Sequence, residues 1–240
     1  MMFSMFKRSL KYDNFSDTIC PDIFSIILMK VLAFNGSPRG GCNTGNMLKS
    51  ALDGCRSKGA ITKLINLNEI NFKGCQSCLL CKRNKETSGK CYYKDNLSPI
   101  LEEVNSADAL LFGSPVYYGL PASNLTSFLE RALYSNDMFG ETSVKKKMKT
   151  GLIFTMHCTK KFASEERKYD PVFERMREYI QKIFGHCEVV NSYNTSITPN
   201  YEKYAVYSWV DPVAKKKAIK EVLPEDLKRA YDLGRRICTD

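Results

Sequence analysis

The chain has 240 residues, 43% of them hydrophobic, enough for one sizeable buried core and too few for two full domains. Its 36 Lys and Arg against 26 Asp and Glu give a net charge of +10, which invites an anionic partner, but the clusters at Lys145, Lys146, Lys147 and Lys149 and at 215–217 are short and read as solvated faces. No zinc-finger spacing or RNA-recognition aromatic signature accompanies that charge, which argues against a basic nucleic-acid-binding module, and Lys30 cuts the longest apolar run far short of the ~18 residues of a membrane helix.

Residues 1–28 read as an N-terminal extension that need not fold. Lys7, Arg8 and Lys11 precede a short apolar run at 23–29, but Asp13, Asp17 and Asp22 interrupt it, so it makes a poor signal peptide. Met29 stands as a second possible start before the domain at 29–240. The apolar run 31–34, closed by Asn35, Gly36, Ser37 and Pro38, predicts a buried strand and a sharp turn. Asn43 and Thr44 offer caps to a helix whose Met47, Leu48, Ala51 and Leu52 recur at helical spacing.

A second strand is predicted at 61–67, followed by a long polar, cysteine-bearing excursion at 68–94, a length that is usually functional. The spacing then predicts a helix over 97–104, a strand over 107–112 ending at Gly113, Ser114 and Pro115, and a helix over 120–134. A strand at 151–156, a long amphipathic helix at 162–184, a short strand at 187–190 and a last helix at 224–237 complete the reading. Continuously apolar strands alternating with helices predict an α/β fold, a doubly wound five-stranded parallel sheet covered on both faces. Ligands of such sheets bind outside the carboxyl ends of the strands.

The loop 36–46 sits at such an end. Backbone N–H groups and the helix dipole favour an anion there, and the loop adds the Ser37 and Thr44 hydroxyls, the Asn43 amide and the Arg39 guanidinium. A terminal phosphate fits these donors. No Gly-Lys-Ser/Thr and no Gly-x-Gly-x-x-Gly occurs in the loop, which excludes a nucleoside-triphosphate loop and a dinucleotide fold.

Residues 35–39 with Asn43 and Thr44 resemble the FMN-phosphate loop of the flavodoxin-like NADPH-dependent FMN reductases and of the iron–sulfur flavoproteins. The resemblance resumes at Gly113, Ser114, Pro115, Val116, Tyr117, Tyr118 and Gly119 and at 128–131, so that it covers about 30–190. Thr126 and Glu130 stand where that family often has Lys and Asp. The resemblance implies a flavodoxin-like fold and a noncovalent FMN, with Ser37, Arg39, Asn43, Thr44, Gly45 and Asn46 on its phosphate. Pro115, Val116, Tyr117, Tyr118 and Gly119 would lie against its ring. It also implies an enzyme of the NAD(P)H-dependent FMN or quinone reductase type, a small-molecule or protein electron donor and acceptor, and a homodimer or homotetramer. No acid or base residue is assigned a catalytic role, because the cofactor carries the electrons. His157, after the strand at 151–156, is a candidate ring contact or an ordinary hydrogen-bonded residue.

Cys75, Cys78, Cys81 and Cys91 supply four thiols, three of them at the spacing that wraps a cubane cluster. The residues leave three readings open: a cluster, free or redox-active thiols, or a zinc site. Resemblance to the iron–sulfur flavoproteins implies the first, a [4Fe–4S] cluster on these four cysteines in an electron carrier. With ten cysteines in a chain that is neither small nor evidently secreted, the thiols are expected in a reducing, cytoplasmic setting.

Overall fold

The apolar run after Lys30 is the strand β1 (Lys30–Asn35) in a computed structural model that describes residues 28–205 and 210–239. The expected extension at 1–28, Leu28 excepted, lies outside the described residues. β1 pairs in parallel with β2 (Ile61–Asn66) on one side and β3 (Ala109–Tyr117) on the other. Beyond β3 follow β5 (Lys149–Thr155) and β6 (Cys187–Ser192), so the five parallel strands run in the order β2-β1-β3-β5-β6. This is the flavodoxin-like order that the resemblance implied. A short β4 (Leu120–Pro121) pairs antiparallel with the end of β3.

Because side chains alternate along a strand, each buried strand feeds two cores. Val31 and Ala33 of β1 face one side with Leu111 and Ile153, under α1 (Asn43–Arg56) and α5 (Pro212–Ile237). Leu32 and Phe34 face the other, with Phe112 and Phe154, under α2 (Ser98–Asn105), α3 (Ser123–Asn136) and α4 (Asp170–Ile183). Stacked rings organise the second core: Phe34 on Phe128 at 4.3 Å and Phe154 on Phe173 at 4.4 Å. On the first side two glycines let helices touch. A Cβ on Gly54 would lie 2.0 Å from the Tyr231 carbonyl oxygen and one on Gly234 1.8 Å from that of Ala51.

Four boundaries differ by more than two residues from those read in the sequence. β3 continues through Gly113, Ser114, Pro115, Val116 and Tyr117, because β4 supplies a partner for its extension, and the turn falls at Tyr118 and Gly119, with φ of 54° and 82°. α3 consequently begins at Ser123, not at 120. The helix expected over 162–184 is broken: a π-helical turn (Phe162–Glu166) is followed by Lys168, whose φ is 54°, and α4 restarts with Pro171 in its first turn. The last helix starts twelve residues before Pro224, at Pro212, where the Asp211 side chain accepts from the Val213 and Ala214 N–H groups. Pro224 lies inside it, where a start was expected. Among the described residues no helix is long and apolar enough to cross a membrane.

Candidate functional site

β1 and β3 end side by side, tied by the Gly36 N–H donating to the Gly113 carbonyl at 2.8 Å. The chain then folds back over the first turn of α1. A Cβ on Gly45 would stand 2.0 Å from the Gly40 carbonyl oxygen, so glycine is required for this close approach. Ser37 and Thr44 are buried, Ser37 bonded to the Arg39 backbone and Thr44 Oγ1 2.8 Å from Thr155 Oγ1 of β5. No side chain caps α1.

A cavity of about 380 Å³ opens above this loop, lined by Ser37, Arg39, Asn43 and Thr44 at one end and Pro115, Val116 and Tyr117 at the other. The structure thus brings together seven of the expected cofactor-binding residues. Gly45 supports the loop from beneath, and Asn46 is exposed on α1. Tyr118 projects fully into solvent, and Gly119 packs against the Tyr169 ring.

One wall of the cavity comes from a segment the sequence reading passed over. After β6 the chain crosses the loop, and its carbonyls engage the donors expected for an anion: Arg39 Nη1 donates to Ile197, and Asn43 Nδ2 to Ser196 at 2.6 Å. His157 Nδ1 lies 3.0 Å from the Thr195 carbonyl, and the Ile197 N–H donates to the Tyr201 hydroxyl at 3.0 Å. Burial, and then the nearby Lys215 ammonium, hold the His157 imidazole below its ordinary value, so it is neutral at neutral pH.

Val116 and His157 are shared with a second, larger cavity of about 720 Å³. Met156, Phe162 and Tyr169 line it together with Ala214, Lys215 and Ala218 of α5. Lys215, read from the sequence as part of a solvated cluster, is only 8% exposed. Its long start on α5, hidden by the misplaced helix boundary, is why the sequence did not reveal it.

The cysteine loop is largely irregular, with Ser77 and Leu79 at positive φ of 50° and 58°. Cys81 is buried, Cys75 and Cys91 partly so, and Cys78 exposed. Burial, then the neighbouring thiols of Cys91, Cys78 and Cys75, push the Cys81 thiol up, outweighing Lys82. Among the described residues no three His, Cys, Asp or Glu side chains are close enough together to hold a metal ion. What fastens the loop is Arg131 of α3, a residue the sequence reading left without a role. Its guanidinium, fully buried, donates to Asp95 at 2.6 Å, to the Tyr93 and Lys73 carbonyls at 2.8 and 3.2 Å, and to the Cys91 sulfur at 3.4 Å. Glu130 accepts from the Cys75 N–H at 3.2 Å.

Comparison with known proteins places this geometry. Residues 29–156 match the family described as NADPH-dependent FMN reductase. An iron-sulfur flavoprotein of Methanocaldococcus jannaschii is 34% identical over 104 residues, 43% of this chain and 52% of that protein. One from Archaeoglobus fulgidus is 31% identical over 104 residues, 43% of this chain and 49% of that protein. The chain spans about half the length of the curated relatives it matches. Among solved structures, an NAD(P)H:quinone oxidoreductase from Methanothermobacter marburgensis superposes with a TM-score of 0.61 at 17% identity, covering 89% of this chain and 98% of that one. An FMN-dependent NADH-azoreductase from Bacillus anthracis, in complex with FMN, gives 0.60 at 14%, covering 88% and 100%. At these identities the likeness is one of fold.

Proposed function

The chain belongs to the NADPH-dependent FMN reductase family, and from that premise we propose that it binds one FMN noncovalently and passes reducing equivalents from NAD(P)H to a quinone, a flavin or another small oxidant. The observation that carries this reading is the single cavity joining the loop of Ser37, Arg39, Asn43 and Thr44 to Pro115, Val116 and Tyr117 at the carboxyl ends of β1 and β3. The Gly40 and Gly45 contact and the first turn of α1 suit a phosphate, since no side chain caps the backbone donors of that turn.

Arg39 and Asn43 would hold the phosphate by exchanging the neutral carbonyls of Ile197 and Ser196 for charged oxygens, a stronger set of acceptors. Ser37 and Thr44 keep the loop in shape from below. Pro115, Val116 and Tyr117 would bound the ring, with Gly119 fixing the turn that follows. His157, neutral and held by the Thr195 carbonyl, supplies a polar wall without adding positive charge. When bound, FMN supplies the redox chemistry by taking up a hydride and releasing its electrons.

Purification of the chain under anaerobic conditions, with a visible spectrum and assay of NADH and NADPH oxidation with a quinone acceptor, tests the proposal. The expected result is yellow protein with about one FMN per chain and acceptor-dependent NAD(P)H oxidation. Colourless protein that does not take up added FMN refutes it.

The four thiols around Cys81 favour a second reading, an iron–sulfur electron carrier. The thiolate count and chemistry suit a [4Fe–4S] cluster, but their placement does not, since among the described residues no three such side chains stand close enough together to hold a metal ion. Stoichiometric iron and sulfide in the anaerobic preparation would favour it over the reductase. Assembly as a homodimer or homotetramer is part of the same proposal: exposed Tyr179 lines a cleft of about 500 Å³ between α3, α4 and Cys75, Leu79 and Leu80 are exposed on the cysteine loop, and sedimentation of the purified chain tests it.

A further inference from the structure

The larger cavity beside the proposed flavin site has a chemical character of its own. Its lining is chiefly apolar and aromatic, from Val116, Met156, Phe162, Tyr169, Ala214 and Ala218, and its volume of about 720 Å³ suits a ring system. Into this lining the fold buries one ammonium. Lys215 Nζ donates to the His157 carbonyl at 2.8 Å and to the Asn194 side-chain oxygen at 2.5 Å, both neutral acceptors. Among the described residues no third acceptor lies within hydrogen-bond distance and no carboxylate within ion-pair distance of it.

A buried charge without a counter-charge is costly, and a site that keeps one gains when an anion arrives. We infer that this cavity binds a planar aromatic ligand carrying one anionic substituent, and that Lys215 is the residue that selects it. The ring would occupy the aromatic lining and the anion would meet the ammonium. This inference rests on the flavin reading only for its consequence, that the ligand is the reductase's substrate or a competitor of it; the selectivity itself rests on the cavity.

The groups facing Lys215 support the assignment. From the segment after β5 come His157, held neutral by burial, and Cys158, whose thiol burial pushes up; from the segment after β6 comes the neutral Asn194. Tyr169 faces it across the cavity from before α4. Asp211, at the start of α5, also lines the cavity; its Oδ1 accepts from the Val213 and Ala214 N–H groups, and neither of its oxygens lies within ion-pair distance of Lys215. Desolvation brings the Lys215 ammonium down to about 8, opposed only by Cys158, so at neutral pH it is charged and loses its charge within an accessible range.

The experiment uses the full chain as purified and two probes of the same shape, 2-naphthoate and 2-naphthamide, with binding measured by calorimetry. At pH 7 the carboxylate is expected to bind at least about tenfold more tightly than the amide, the worth of one charge-assisted hydrogen bond. In Lys215→Met the two probes should bind within about twofold of each other. With the unaltered protein the preference should fall as the pH is raised from 7 to 9.5, since the anion needs the protonated amine. Equal affinities in the unaltered protein, a preference that survives Lys215→Met, or one that does not change with pH would each overturn the inference. If the variant does not fold, the pH series decides alone. FMN content, read from the visible spectrum of the same sample, separates the two readings. Bound FMN without anion preference sinks this inference only, whereas anion preference in a chain that refuses FMN sinks the flavin reading only.

Discussion

Asp95→Asn probes whether α3 fastens the cysteine loop as the structure indicates. The Arg131 guanidinium is fully buried and Asp95 is its single carboxylate within ion-pair distance among the described residues, at 2.6 Å. Removing one partner of a buried pair costs about 3–5 kcal/mol, because the other charge is left uncompensated. Arg131 keeps the Lys73 and Tyr93 carbonyls and the Cys91 sulfur, and the Asp95 side chain is 14% exposed, so the lower end, about 3 kcal/mol, applies. For a chain of this size each kcal/mol moves Tm by about 2–4 °C, giving an expected drop of about 6–12 °C by thermal circular dichroism. The acid limb gives a second reading. Burial alone would raise the Asp95 carboxyl, but Arg131 and the Lys73 and Leu97 N–H groups outweigh it and hold it below its ordinary 3.8. Its stabilisation is therefore complete above the ordinary carboxylate range and is lost as pH falls through the folded-state value; in Asp95→Asn that part of the acid sensitivity disappears. Since Arg131 also bonds Cys91, the variant should expose that thiol to faster alkylation. A Tm within about 2 °C of the parent, with unchanged Cys91 labelling, would refute the view of Arg131 as the loop's fastening.

Arg39→Ala should weaken FMN affinity about 10-fold to 100-fold by deleting a charge-assisted donor; fluorescence titration with unchanged affinity would count against the phosphate loop. Gly234→Val forces a side chain where a Cβ would already lie 1.8 Å from the Ala51 oxygen, so α1 and α5 must part, at a cost near about 3 kcal/mol that a urea melt would read as a lowered midpoint. Cys81→Ser should leave FMN bound while abolishing any iron and sulfide in anaerobic preparations; simultaneous loss of FMN would show that the loop is required for assembly.

The parts legible in the sequence are those that local chemistry determines. An apolar run broken by Asn35, Gly36 and Pro38 and followed by helical spacing needs no distant partner to be read as strand, loop and helix, and β1 and α1 lie where they were expected. The parallel sheet followed from alternation of elements, and its flavodoxin-like order from the resemblance. What could not be read depends on contacts across the chain. Pro115, Val116 and Tyr117 become strand because Leu120 and Pro121 pair with them, and Arg131 acquires its role from Lys73, Cys91, Tyr93 and Asp95, each at least 36 positions away. Pro224 carries a start signal that the helix overrides, since Asp211 and Pro212 supply a better one.

The misplaced start of α5 bears directly on function. The family match ends at residue 156, and the match covers the phosphate loop and the strand end at Pro115, Val116 and Tyr117. The remaining walls come later in the chain: His157, Thr195, Ser196 and Ile197 around the smaller cavity, Phe162, Tyr169 and Lys215 around the larger. A loop that lies inside the family match is thus paired with walls assembled from segments outside it. Exchanging the phosphate loop for that of another family member should therefore change FMN affinity while leaving the naphthoate preference in place. Replacing Lys215 should do the reverse, because among the described residues the two cavities share Val116 and His157 alone.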